Sequence, residues 1–546
     1  MFNKNLLLAS LLIITSVNLC GQKYRDTIEK KLNAYKKITL TSDISSLSID
    51  ERRGLKFLIL AAQEMNELFW LQSFGNKLEL DSIKDPIIRQ YAIINYGPWD
   101  RLNNNKPFVK GYGAKPAGAN FYPKDMTKQE FESLVDSNKN NPNMVINRNP
   151  EDNKLRAENY PGNYMMHLSN TFQALQAAAV FFEKSDSMFS NFLKLRALAL
   201  MTNQYTESDI AWLDLKNNKF DIIIGSIENY EDQLLGIRTS FEAFVLIKDL
   251  SWSKNLEKYV SYLPELQKNL PGEDKYKAET VGSSSQLNAY DVVYYAGDCN
   301  AGSKTIAVNL PNDEKLQLEK GTRRSQLKNA IQAKYENIMV PISNILIDST
   351  QRKHLTFNAF FSTIMFHEVA HGLGIKITIN GNGTVKDALG ADYSALEEGK
   401  ADILGLYMIT QLYNKKVLKE GELMDYYVTF MAGIFRSVRF GASSAHGKAN
   451  MIRFNYFREQ GAFTRNDITG QYTINFEKMK DAMTSLSALI LKLQGDGDVA
   501  GVKKLLQEKG KINDELQKDL DGLINKNIPV DIIFEQGLEV LGLMAD

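Results

Sequence analysis

Cysteine is nearly absent from this chain: Cys20 and Cys299 are the two in 546 residues. Cys20 lies in an N-terminal apolar segment, so the processed chain has no intramolecular disulfide to form and its stability has to come from a packed core. No histidine stands near Cys299 in sequence to activate it, and it reads as a small buried residue rather than a nucleophile. Net charge is absent too. Lys+Arg and Asp+Glu are 65 each, there is no polybasic run, and nothing points to nucleic acid or an anionic membrane surface. Internal repeats and long low-complexity stretches are also missing. The hydrophobic fraction of 44% permits a large core, and the length accommodates two lobes or more.

The N-terminus reads as an export signal: Lys4, then an apolar run from Leu6 to Leu19 that is too short to span a bilayer. Two processing modes stay open. Cys20 could be a lipidated lipoprotein cysteine, with Val17 three residues before it but bulky Leu19 where a small residue is usual. Cleavage after Gly21 would instead leave Gln22 as N-terminus. The expected location is the periplasm or, through a lipid anchor at Cys20, the membrane of a bacterial envelope.

Histidine is scarce, five in all, yet two of them fall in His367-Glu368-Val369-Ala370-His371, an H-E-x-x-H pentad. On a helix, residues i and i+4 share a face, so His367 and His371 can aim at one ion. Glu368, one position on, can reach a water there without ligating. Phe357, Phe360, Phe361, Ile364, Met365, Val369 and Leu373 make the segment apolar enough for a helix, and Gly372 and Gly374 end it. Downstream comes Glu398-Gly399-Lys400-Ala401-Asp402. Ser394 is the expected N-cap of a second helix, with Glu397 as its capping-box partner. There Glu398 supplies a third ligand. Asp402, with Glu397, orients a ligating histidine from behind. Without the histidine pair, these acids would read as a solvated helix face. Two histidines and one carboxylate favour zinc.

Residues 23 to 90 read as helical, with apolar positions at helical spacing from Asp50 to Phe74. Residues 96 to 163 are loop-rich, and 165 to 205 return to helix. Strands are expected at Phe220–Ile227, Asp291–Ala296 and Lys304–Leu310. Residues 264 to 289 look like an exposed connector, and most segments from Gln326 onward read helical. The expected fold is α+β, predominantly α, with two lobes around a cleft. A mixed lobe with a small β core spans 22–250, completed by about 290–320, and a helical metal-bearing lobe spans 321–546.

Several segments together resemble the dipeptidyl peptidase III family, peptidase family M49, and most closely its bacterial and plant relatives described as zinc-dependent hydrolases. The family's metal helix is followed by an E-E-x-x-A-[ED] helix, matched by Glu397 to Asp402. Val308-Asn309-Leu310-Pro311-Asn312 is similar to the family's I-N-I-P-N. Ala445-His446-Gly447-Lys448-Ala449 is similar to A-H-x-x-A. Ile224 to Tyr230, then Phe241 to Val245, resemble I-G-F-I-E-x-Y and F-E-G-F-V. The matches run in family order from about residue 220 to 460.

The resemblance implies zinc ligation by His367, His371 and Glu398, with Glu368 as general base. It also implies transition-state stabilisation by His446 and substrate anchoring by Asn309 and Asn312. Read without it, the two asparagines are turn residues beside Pro311 and His446 is a surface histidine. His167 and His354 read as structural, and Asp221 and Glu228 as supporting the fold. Two features depart from the family. The typical member has H-E-x-x-x-H where this chain has the five-residue form. The family's substrate-contacting Glu and Tyr before I-G-F become Asp221 and Ile223.

The expected function is a zinc-dependent hydrolase with one ion per chain, a peptidase acting on short peptides through a zinc-bound water. The alternatives are hydrolysis of a non-peptide amide or ester, and a non-catalytic zinc-dependent peptide-binding protein.

Overall fold

The structure, a computed structural model, describes residues 22–279, 286–524 and 526–544. The export segment with Cys20, and residues 280–285 of the expected connector, lie outside the described residues. Tyr35–Thr39 is a strand, β1, inside the stretch read as helical. A capping box at Ser48 and Glu51 then opens helix α1, Ile49–Ser73, whose Leu55, Leu58, Ala62 and Met65 are fully buried. It packs along α2, Met165–Phe182, and α2 packs on α3, Ser187–Thr202.

Strands β2 (Phe220–Glu228), β3 (Ser240–Lys248), β4 (Gln286–Gly297), β5 (Ala307–Leu310) and β6 (Arg323–Leu327) form a five-stranded sheet in the order β2-β3-β4-β6-β5. The β4–β6 pair is parallel and the rest antiparallel. All of β3 is buried, as expected for a strand covered on both faces. Asp221 and Arg323 are an ion pair at 2.9 Å with both side chains fully buried. The Trp212 indole and the Tyr290 hydroxyl donate to the same carboxylate, each at 2.8 Å. Asp221 therefore braces the sheet.

A second core is helical. It is built by α4 (Phe357–Ala370), α5 (Tyr393–Asn414), α6 (Leu423–Val438), α7 (Ala445–Glu459) and α8 (Phe476–Gly495). Thr356 caps α4 by accepting the Ala359 amide. Among the described residues no helix is long and apolar enough to cross a membrane.

Two local readings are corrected. Ser394 is not a cap: a 3-10 turn, Gly390–Asp392, runs directly into α5, so Ser394 falls inside its first turn, and the Glu397 carboxylate is claimed by His371 and Lys400 instead. Nor is residues 264–279 an exposed connector, since Leu266, Leu270 and Tyr276 are buried in the helical core. There the Gln267 amide also brackets Gly374, accepting its N–H at 2.8 Å and donating to its carbonyl at 3.1 Å. The chain's end returns to its beginning. Strand β7, Asp531–Glu535, pairs in parallel with β1, and Leu541 and Leu543 pack into the sheet-side core.

Candidate metal centre and active site

α4 and α5 lie side by side and bring the two sequence motifs together. The Nε2 atoms of His367 and His371 are 3.2 Å apart. Glu398 Oε2 stands 3.3 Å from the first and 4.0 Å from the second. His446, at the start of α7, brings its Nε2 to 3.1 Å from the same oxygen, and its ring stacks on that of His367. Glu398 Oε2 is buried and receives no hydrogen bond. An inward-facing carboxylate oxygen ringed by imidazole nitrogens suits a cation better than it suits the nitrogens alone.

His367 in α4 and His371 at its C-terminal cap are both held from behind. His367 Nδ1 meets Asp402 Oδ1 at 2.7 Å and His371 Nδ1 meets Glu397 Oε1 at 3.0 Å. Each Nδ1 so engaged turns its Nε2 toward the cluster. The supports are supported in turn. Arg453 pairs with Asp402 and donates to Asn450 at 2.6 Å, and Asn450 donates to the His446 carbonyl at 2.7 Å. Glu397 takes Lys400 Nζ at 2.8 Å and the Gln494 amide at 3.0 Å. Burial alone would raise the Glu397 carboxyl, but the His371 hydrogen bond and the Lys400 charge outweigh it and hold it at about 2.

The expected site residues share a cleft. A cavity of about 610 Å³ is lined by Asn309, Asn312, Glu228 and Glu242 from the sheet side and by Glu368, His371, Glu398 and His446 from the helices. A second cavity, of about 430 Å³, opens on the other side of His367, Glu368 and His446. Glu368 faces both. Asn312 Nδ2 already donates to the Ile227 carbonyl at 3.0 Å, whereas Asn309 is exposed to the cleft. Ile223 points away into a separate pocket. Cys299 is buried and its thiol donates to backbone carbonyls, and burial pushes it well above its usual value. His167 and His354 sit outside the cleft, each against a carboxylate at 2.7 Å, Glu64 and Asp425.

Arg453, Asn450 and Lys400 were missed in the sequence. Lys400 is legible afterwards as the i+3 partner of Glu397, and Asn450 and Arg453 as the i+4 and i+7 neighbours of His446 on one helix face.

Histidines and a carboxylate on adjoining helices, at the floor of a cleft between a sheet core and a helical core, define the metallopeptidases of the H-E-x-x-H kind. The comparisons narrow this further. The model of peptidase family M49 matches residues 118–388. The chain is 34% identical over 573 aligned positions to a protein of Arabidopsis thaliana named Nudix hydrolase 3, covering 93% of this chain and 73% of that one. With dipeptidyl peptidase 3 of Rattus norvegicus it shares 24% identity over 213 positions, 37% of this chain and 26% of that one. DPP III from Caldithrix abyssi superposes with a TM-score of 0.89 at 36% identity, over 93% of this chain and 99% of that one. DPP III from Corallococcus sp. strain EGB gives 0.79 at 34%, over 96% and 99%. The chain belongs to peptidase family M49.

Proposed function

We propose that this protein is a zinc-dependent peptidase that hydrolyses short peptides in the cleft between its two cores. One observation carries the reading: the buried, undonated Glu398 Oε2, with His367 and His371 turned toward it by Asp402 and Glu397. In this reading His367, His371 and Glu398 hold the ion. When bound, it supplies Lewis acidity, polarising a carbonyl and acidifying water.

The remaining work belongs to side chains. Glu368, placed between the two cavities and not among the three ligands, accepts the proton of the attacking water and returns it to the leaving amine. His446 Nε2, on the cleft side of Glu398, donates to the oxygen that gains charge as the carbonyl is attacked. Asn309 offers its amide to the peptide backbone from the sheet side, and Asn312, held by Ile227, fixes the shape of that edge. The solved relatives are named as dipeptidyl-peptidases, which supports release of dipeptides as the cleavage mode. The N-terminal segment supports export to the bacterial envelope.

The test is metal content and peptide-library hydrolysis of the purified protein beside Glu368→Ala. One equivalent of zinc in both, with cleavage in the wild type alone, is expected. Zinc in both with cleavage in neither would move the reading to a non-peptide bond or a binding role.

A further inference from the structure

The two cavities that meet at Glu368 differ in charge. The larger carries Glu228, Glu242 and Asp298 on its wall, but burial raises the Glu242 carboxyl well above its usual value and that of Asp298 to about 7, so this wall holds little negative charge. The smaller carries Lys304, Lys334, Arg436 and Arg453. Three of these four cations are occupied. Arg453 is paired with Asp402, Lys334 lies 2.9 Å from Asp531, and Lys304 donates to the Asn300 carbonyl.

Arg436 is different. Its Nε, like that of Arg453, is buried without an acceptor, but among the described residues no carboxylate is paired with it, and its guanidinium rests on the Phe360 ring, 5.5 Å from the centroid. The carboxylate that acts on it from a distance, Asp531, is already shared by Lys334, the Ser303 hydroxyl and the Lys304 amide. Burial pulls the Lys304 ammonium down to about 8 and lowers Lys334 and Arg436 as well, and Asp531 offsets this only in part. A guanidinium with no paired carboxylate, lining a cavity beside the proposed reaction centre, suits an anion, and its planar fork matches a carboxylate.

We propose that Arg436 binds a carboxylate of the substrate on the leaving-group side of the scissile bond, either the peptide's C-terminal carboxylate or an acidic side chain. This rests on the peptidase reading above and gives it a direction. An acidic end of the peptide suits the Arg436 side, across Glu368 from the larger cavity. The site would thus favour short peptides whose acid falls within reach of α6.

Calorimetric titration of the zinc-loaded protein with a tetrapeptide and its C-terminal amide tests this, using the metal-loaded Glu368→Ala variant to prevent turnover. The free acid is expected to bind about tenfold more tightly than the amide, as a charge-assisted bidentate contact warrants. That preference should vanish in an added Arg436→Met and survive in part in Arg436→Lys. Amides carrying Glu against Gln past the cut separate the two sources: a preference there, with none for the free terminus, assigns the pocket to a side chain. Equal binding of acid and amide, and of Glu and Gln peptides, overturns the proposal without any need of a variant. If no peptide binds, the peptidase reading fails separately, and inorganic phosphate decides the pocket. Phosphate binding lost in Arg436→Met keeps an anion site, and no binding overturns it.

Discussion

Gly405 of α5 lies against the peptide joining Phe366 to His367 on α4: a Cβ placed on it would stand 3.0 Å from the His367 amide nitrogen and 3.1 Å from the Phe366 carbonyl oxygen. The two helices that carry the metal-site motifs can approach this closely only where one of them has no side chain. Gly405 is i+3 from Asp402 and i+7 from Glu398, so it sits on the face that presents both to the histidines. Gly399, inside the motif itself, is not so constrained, because its Cβ would meet Ile490 at 3.7 Å and Ala449 at 3.9 Å, ordinary contact.

The two glycines therefore predict opposite outcomes. Gly405→Ala should destabilise by roughly 1–3 kcal/mol through overpacking against backbone and weaken metal binding, since it moves Glu398 away from His367. Gly399→Ala should leave stability unchanged or raise it by up to about 1 kcal/mol, the usual helical gain over glycine. Thermal melts with zinc titrations of both variants decide the matter, and equal effects would refute the close approach.

Asp402 holds His367 at 2.7 Å while Arg453 holds Asp402. Asp402→Asn should lower zinc affinity by roughly 10- to 100-fold, measured by competition with a chromophoric chelator. Arg453→Met should act in the same direction, through Asp402, and the double variant should be less than additive because both act on one ring. Full additivity would mean that Arg453 does not work through Asp402.

Much of this site was legible because its information is local. The i, i+4 pair His367/His371, the Glu398–Asp402 spacing and the apolar content of α4 are properties of single helices, and the structure brings those residues together as the spacing implies. Three of the five sheet strands were legible, from β-branched runs such as Phe220–Ile227, though the first extends one residue further, β4 begins five residues earlier and β5 three residues later than read; β3 and β6 were not read as strands. What was not legible is non-local. Nothing around Tyr35–Thr39 announces a strand, because its partner is Asp531–Glu535 at the far end of the chain. Arg436 and Arg453 look like ordinary helix cations until packing turns them inward. Ser394 failed for a different reason: a cap rule reads four residues, and the preceding turn, Gly390–Asp392, overrode it.

Glu231 makes a pH prediction away from the metal. It is buried between Arg101, at 2.8 Å, and Lys115. Burial would raise its carboxyl, but the two cations outweigh that and hold it at about 2 against 4.5 in its ordinary state. A depressed folded-state value means stability that is fully present above pH 4.5 and lost as pH falls from there toward 2, worth about 3 kcal/mol. Glu231→Gln should cost a similar amount at pH 7, leaving two buried cations uncompensated, and should flatten the acid limb of the stability curve. A loss that is as large at pH 3 as at pH 7 would show that the effect is packing rather than charge.

Removal of the ion gives the remaining prediction. Without it, Glu398 Oε2 is a buried acceptor with no donor, and three imidazoles converge on a carboxylate that only partly satisfies them. Anything that binds the folded state alone stabilises it by mass action, about 4 kcal/mol at a thousandfold excess over Kd. Chelation should therefore lower the melting temperature by several degrees, and zinc should restore it. The helical core should feel the loss first, since α4 and α5 carry all three proposed ligands. In Glu398→Ala the same chelator should leave the melt unmoved, because the site has already lost its carboxylate. A wild-type melt insensitive to chelator and to added zinc would remove the ion from the site, and with it the peptidase reading.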